Sequence, residues 1–361
     1  MNTVLSAYDI DYVEIYTPMA KVLAYWHVKA LGFSITSCAN ADTGHQNLSS
    51  YVLVSGKVRL VLTSTYPASD SSGISEIASF VSQNYCGVKR IALRVTDVSS
   101  SLNNAIANGA FPIKPPFTTS DESGEISEAS IKLYDNCELV FIDRKGYRGD
   151  FKPGYKALAV SENPGLLTVI DHIASEVRIN ESKFWSAYLG GALGLSLVQT
   201  FGKSEDNRTG MILNINQSFD KNLTLVISEP SEYTPASRVQ RNINTYGPGV
   251  HHLAFATRDL VGTTRTLLEQ GVEFVSFPSS YYELLRNDPE FQGLDIATLQ
   301  DNNILVDKEG DTYLLQKFIK PLSDRPFFIY EIVQRVNGYQ GFALRNINVL
   351  KRAEELQVME K

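Results

Sequence analysis

The chain repeats itself, and a duplicated chain is constrained to build one architecture twice. Ile10-Asp11-Tyr12-Val13-Glu14-Ile15 resembles Ile170-Asp171-His172-Ile173-Ala174-Ser175. Each is followed by a helix-like stretch containing a Trp, Trp26 or Trp185, and ending in Leu31-Gly32-Phe33 or Leu193-Gly194-Leu195. Gly87-Val88-Lys89-Arg90-Ile91-Ala92-Leu93 parallels Gly249-Val250-His251-His252-Leu253-Ala254-Phe255, and both run into a helix-like stretch that stops at a glycine, Gly109 or Gly271. A third pair sets Leu139-Val140-Phe141-Ile142-Asp143-Arg144 against Tyr330-Glu331-Ile332-Val333-Gln334-Arg335.

Within each half, short strands alternate apolar and polar residues between Gly, Pro, Asn and Asp turns. Helical spacing falls near residues 20–31, 98–108, 181–193 and 259–270. The pattern predicts an α+β fold of tandem β-α-β-β-β modules, two per half, whose sheets curl into two open barrels. A chain of 361 residues exceeds what one core comfortably serves. Residues 1–150 are expected to form the first domain and residues 151–361 the second. The Gly- and Pro-containing residues 145–154, continuing to Asn163-Pro164-Gly165, read as an interdomain connector.

His172, His252 and Glu331 occupy one place in each of the three repeated motifs, 80 and 79 residues apart. Two histidines and one carboxylate form the facial set that holds iron(II) while leaving positions open for substrate and dioxygen; zinc is not excluded by these ligand types. Their counterparts in the first half are Tyr12, Arg90 and Val140, so only the second half can bind a metal with this set. His251 adjoins His252, and neighbours on a strand point to opposite faces, so one of the two is expected to look into the barrel. The repeat register selects His252.

Composition narrows the partners. The net charge is −7 with no basic stripe, which argues against nucleic acid. No apolar run approaches the roughly 18 residues of a membrane span and no secretory pattern opens the chain, so a cytoplasmic location away from membranes is expected. Cys38, Cys86 and Cys137, odd in number and without C-x-x-C spacing, read as free thiols. No Gly-rich dinucleotide motif is present.

Together, Asp171-His172, Gly249-Val250-His251-His252, Tyr313-Leu314-Leu315-Gln316-Lys317-Phe318, Asp324-Arg325-Pro326, Glu331-Ile332-Val333-Gln334-Arg335 and Gly341-Phe342 followed by Asn346 resemble the 4-hydroxyphenylpyruvate dioxygenase and hydroxymandelate synthase family, of the vicinal oxygen chelate type. Asp9-Ile10-Asp11-Tyr12-Val13-Glu14 and residues 56–63 extend the likeness over the first half. The resemblance implies that His172, His252 and Glu331 bind Fe(II) and that a 2-oxo acid chelates it. It further implies that Gln316 and Gln240 orient the substrate, that Phe318 and Phe342 sandwich its apolar part, and that a lid helix from Gly341 to Met359 closes the site. Homodimers or homotetramers are common in such a family.

Departures from the family pattern bear on substrate and product. Leu213 stands where the family usually has Ser, Ser228 where the dioxygenases have Asn, His251 where Gln is usual and Ile329 where Phe is usual. The residue after Asn346 is Phe in the ring-hydroxylating dioxygenases and Ile in the synthases, which hydroxylate the benzylic carbon. Here it is Ile347. The resemblance therefore implies oxidative decarboxylation of an arylpyruvate-like acid with benzylic hydroxylation favoured; ring hydroxylation to homogentisate, another 2-oxo acid, or a non-catalytic ligand-binding protein on the same fold are the alternatives.

Overall fold

The computed structural model describes residues 8–66, 75–160, 165–202, 210–231, 237–323, 327–344, 346 and 347. The first half runs β1 (Asp9–Tyr16), α1 (Ala20–Leu31), β2 (Ser34–Ala39), β3 (Leu48–Ser55), β4 (Val58–Thr65), α2 (Glu76–Asn84), β5 (Gly87–Arg94), α3 (Val98–Ala107), β6 (Pro112–Asp121), β7 (Gly124–Leu133) and β8 (Cys137–Asp143), followed by β9 (Lys156–Val160). The second runs β10 (Ile170–Glu176), α4 (Ser182–Leu193), β11 (Ser196–Phe201), β12 (Met211–Gln217), β13 (Thr224–Pro230), α5 (Arg238–Tyr246), β14 (Gly249–Ala256) and α6 (Leu260–Glu269). It ends with α7 (Ser279–Arg286), α8 (Ile296–Asp301), β15 (Leu305–Glu309), β16 (Thr312–Phe318) and β17 (Ile329–Val336). These are the four expected β-α-β-β-β modules, with α7 and α8 inserted in the last.

Local chemistry ends the elements where the repeats ended. Gly32 and Gly194 both take φ 69°, a left-handed cap open to glycine without strain, and stop α1 and α4 at matching points. Asp97 and Asp259 cap α3 and α6, accepting from Ser100 N at 2.8 Å and Gly262 N at 2.9 Å.

Two curled sheets result, ordered β6-β7-β8-β5-β1-β4-β3-β2-β9 and β11-β12-β13-β10-β14-β17-β16-β15. In each, the two modules join through one antiparallel seam, β1 on β5 and β10 on β14. β9 lies beyond residue 150 yet pairs with β2 in the first sheet. The edge of β2 offers backbone groups that the returning chain satisfies. Residues 145–154 are not a bare connector. Phe151 is buried edge-on against Tyr12, 5.3 Å between ring centres, and Lys152 reaches into the same barrel.

One apolar core runs through both halves. Trp185 packs against Tyr134 at 5.0 Å, and Tyr188 stacks on Phe111 while its hydroxyl donates to Lys132 O at 2.7 Å. His27, fully buried on α1, places Nδ1 2.7 Å from Leu23 O and Nε2 2.8 Å from the Tyr330 hydroxyl of β17. Among the described residues no helix is long and apolar enough to cross a membrane. Cys38 and Cys137 are buried free thiols, and Cys86 is a half-buried one.

Burial pushes the His27 pKa down from 6.5 to about 4, against the weaker opposing effect of its bond to Leu23. The unfolded chain therefore takes the proton first, so the stability this residue contributes is complete above pH 6.5 and is lost as pH falls towards 4. The loss is about 1.4 kcal/mol per pH unit and about 3 kcal/mol in all. Urea unfolding at pH 7 and pH 4.5 should show that His27→Gln is less stable than wild type at pH 7 but loses less stability on acidification.

Candidate metal centre

Strand register brings His172, His252 and Glu331 together. His172 on β10 pairs with Ala254 on β14, and Ala254 pairs in turn with Glu331 on β17. The row crosses three strands spaced about 4.8 Å apart. His252 lies two residues before Ala254 and therefore on the same face. The three ligand atoms fall within 4.8 Å of one another, with Glu331 Oε2 3.2 Å from Nε2 of each histidine. The first half repeats the row as Tyr12, Ala92 and Val140, with Arg90 in the place of His252. The register thus reproduces all three correspondences read from the repeats.

The donor set suits a divalent metal. His172 Nδ1 lies 2.9 Å from Asp171 Oδ1, which fixes the proton there and leaves Nε2 for a metal. Burial disfavours charge at Glu331, but His172 and His252 outweigh it and hold the carboxyl at about 2. Burial likewise opposes charge on His172, yet Glu331 and Asp171 raise its pKa to about 9. For His252, burial prevails and the pKa is lowered. A carboxylate and two imidazoles on one wall of an open cavity are the ligands that hold non-haem iron with positions to spare.

His251 departs from the alternation rule. The β10–β14 ladder skips it, Ala174 pairing with His252 and Ser175 with Val250, so His251 is the extra residue of a β-bulge. The bulge turns His251 onto the same cavity as His252, with the two Nδ1 atoms 2.8 Å apart. The first half carries the same bulge at Lys89, beside Arg90. Burial, then Arg238 and His252, press the His251 pKa well below its usual value, so the ring is neutral.

The cavity encloses about 520 Å³. Of the residues expected around the substrate, Leu213, Ser228, Gln316, Phe318, Ile329, Phe342 and Ile347 line it. Gln316 lines the cavity, and its Oε1 is buried with no hydrogen-bond partner among the described residues. Phe318 stands edge-on to His252 at 6.0 Å and Phe342 edge-on to His172 at 6.3 Å. Ala174, Ile215 and Val226 form an apolar floor. Ser228 spends its hydroxyl on Ser175 O at 3.1 Å.

Two expected contacts do not reach the cavity wall. Gln240 is buried on α5 with Nε2 on Asn244 Oδ1 at 2.8 Å, and Asn346 accepts from the Tyr281 hydroxyl at 2.7 Å. The side of α5 that faces the cavity instead presents Arg238 and Asn242. Both hold Glu176, through Arg238 Nη1 at 2.8 Å and Asn242 Nδ2 at 2.9 Å, and Arg238 also lies 3.0 Å from His251 Nε2. Burial raises the Glu176 pKa. No motif marked this polar wall; its signal is Glu176 itself, an acid on the same face of β10 as His172 and Ala174. Of the expected lid, Arg345 and residues 348–361 lie outside the described residues, as does Asp324-Arg325-Pro326.

The first barrel fills the equivalent space with charge. Lys152 Nζ donates to the Tyr12 hydroxyl at 2.8 Å and to Glu128 at 2.5 Å, and Arg90 bridges Glu14 and Glu76, each at 2.8 Å. Val140, in the place of Glu331, offers no ligand atom.

Curated relatives cover nearly all of the chain. A 4-hydroxyphenylpyruvate dioxygenase from Tetrahymena thermophila is 31% identical over 96% of this chain and 89% of its own length. The chain belongs to the 4-hydroxyphenylpyruvate dioxygenase family. As a member of it, the protein is a non-haem iron dioxygenase. A 4-hydroxyphenylpyruvate dioxygenase from Coccidioides posadasii is 30% identical over 96% of this chain and 92% of its own. Among solved structures, a triple mutant of 4-hydroxymandelate synthase from Streptomyces coelicolor superposes with a TM-score of 0.83 at 24% identity, covering 99% of this chain and 100% of that one, and so shares the fold. No family model matches the chain.

Calorimetric titration of the metal-free protein with Fe(II) under anaerobic conditions should separate the two halves. His172→Ala, His252→Ala and Glu331→Ala should each weaken binding by at least about 100-fold. Val140→Ala, at the counterpart of Glu331, should leave it unchanged.

Proposed function

We propose that the protein uses Fe(II) and dioxygen to decarboxylate an arylpyruvate-like 2-oxo acid, 4-hydroxyphenylpyruvate foremost, and to hydroxylate its benzylic carbon. One oxygen atom enters the side chain as hydroxyl, the other enters the new carboxylate, and the former carboxylate leaves as carbon dioxide, so the product is 4-hydroxymandelate. The observation that carries the reading is the convergence of His172, His252 and Glu331 on one wall of an apolar cavity wide enough for an aryl group. Bound iron would relay electrons from the 2-oxo acid to dioxygen and would offer the open positions at which both are held.

The chain's own residues supply binding and orientation. Gln316, with its unpartnered Oε1, is placed to hydrogen-bond a polar substrate group, since a buried donor or acceptor left unpaired costs about 1–3 kcal/mol. Phe318 and Phe342 flank the ligand histidines and would hold an aryl ring between them while keeping water away. Leu213, Ile215 and Val226 give that ring an apolar bed. The Glu176, Arg238 and His251 wall replaces the neutral polar groups expected there and would read the far end of the substrate.

Ile347 supports the benzylic outcome. It lines the cavity beside Leu344, where a Phe would take more space and turn the aryl group towards the ring-hydroxylating geometry. The names of the sequence relatives favour a second reading, ring hydroxylation to homogentisate.

Oxygen uptake by the Fe(II) protein with 4-hydroxyphenylpyruvate, followed by mass spectrometry of the product, decides between them. Benzylic product should predominate, and Ile347→Phe should raise the ring-hydroxylated fraction; a change of about 1.4 kcal/mol between the two barriers moves the ratio about tenfold. If no arylpyruvate or aliphatic 2-oxo acid drives oxygen uptake, the proposal fails.

A further inference from the structure

A single guanidinium touches both the orienting partner of a metal ligand and the turn that closes the cavity. Arg335, four residues after Glu331, grips both oxygens of Asp171, Nε to Oδ2 at 2.7 Å and Nη2 to Oδ1 at 2.8 Å. Asp171 Oδ1 is also the partner of His172 Nδ1. The third nitrogen of Arg335, Nη1, donates to Gly341 O at 2.8 Å and Tyr339 O at 3.2 Å. The Phe342 ring lies 5.2 Å from the guanidinium carbon, and its edge faces His172.

The first half contains the same clasp without a metal ligand. Arg144 holds Asp11 through Nε at 2.8 Å, donates to Phe151 O, and lies 5.2 Å from the Phe151 ring, which packs on Tyr12. Closing a barrel therefore uses the Asp–Arg pair whether or not metal is involved. Only in the second half does the aspartate also touch an imidazole that faces the metal position.

We propose that Asp171 and Arg335 are positioning residues that couple metal binding at His172 to the docking of residues 339–342 over the cavity. Asp171 aims His172 Nε2 at Glu331 and His252. Ligation at Nε2 fixes the imidazole in place, and with it the Asp171 carboxylate through which Arg335 is joined to the turn. By reciprocity, a docked turn favours metal. The inference rests on the reading of His172 as a metal ligand and is independent of substrate and product.

The test uses the full-length, metal-free protein and Co(II), whose visible absorption reports binding without turnover. Asp171→Asn should weaken Co(II) binding by about 10- to 100-fold. Arg335→Lys should weaken it less, and Asp11→Asn should leave it unchanged. Hydrogen exchange should show residues 339–342 slowed by Co(II) in wild type and in Asp11→Asn, but indifferent to Co(II) in Asp171→Asn. A merely structural clasp would make the two aspartate variants behave alike, and equal Co(II) affinity in both overturns the proposal. So does wild-type exchange at 339–342 that ignores Co(II). Should Asp171→Asn fail to fold, Arg335→Lys decides on the same two measurements. If wild type binds no Co(II), the metal reading itself falls and this inference with it.

Discussion

Ala254 is the residue around which the site is built. Its two backbone pairings fix His172 on one side and Glu331 on the other, while its own side chain is buried in a cluster with Leu314, Val333, Tyr339 and Ala343. A longer side chain there would have to displace that cluster. A one-residue slip in either ladder would turn a ligand away from the cavity, because side chains alternate along a strand. Ala92 keeps the same role in the first half, so the geometry precedes the metal chemistry and is a property of the module.

Divergence of the halves extends past their last strands. Arg144 precedes Phe151, and Arg335 precedes Phe342, by seven residues each. The stretch after β8 is thus the counterpart of the stretch after β17. One has become a packed plug held over Tyr12; the other roofs an open cavity at His172. The helices before β5 and β14 diverged in charge: Glu76 on α2 faces Lys89 and Arg90, whereas Arg238 on α5 faces His251 and Glu176. The same two positions therefore neutralise cations in the silent barrel and build a hydrogen-bonding wall in the other.

The sequence made the modules, and the meeting of His172, His252 and Glu331, legible because repetition reports shared structure without requiring any strand to be judged alone. It hid what depends on pairing between strands. The bulge at His251 belongs to the β10–β14 ladder and cannot be seen in β14 by itself, although the charged pair Lys89-Arg90 at the repeated site carried a hint of it. Gly and Pro around residue 150 signalled turns, which they are, but turn composition does not say whether Phe151 between them is buried. Gln240 and Arg238 are two residues apart on one helix, and which of them meets the cavity depends on the rotation of α5, which its neighbours set.

Lys152 occupies the position after Phe151, as Ala343 does after Phe342, and its ammonium sits against Tyr12 and Glu128. Because a lysine from one segment and an arginine from another balance the carboxylates of the first barrel, no single substitution could create such a metal site there without stranding a buried charge, at about 3–5 kcal/mol. The same module thus serves two ends, and the ion pairs that stabilise the first barrel bar it from the chemistry open to the second.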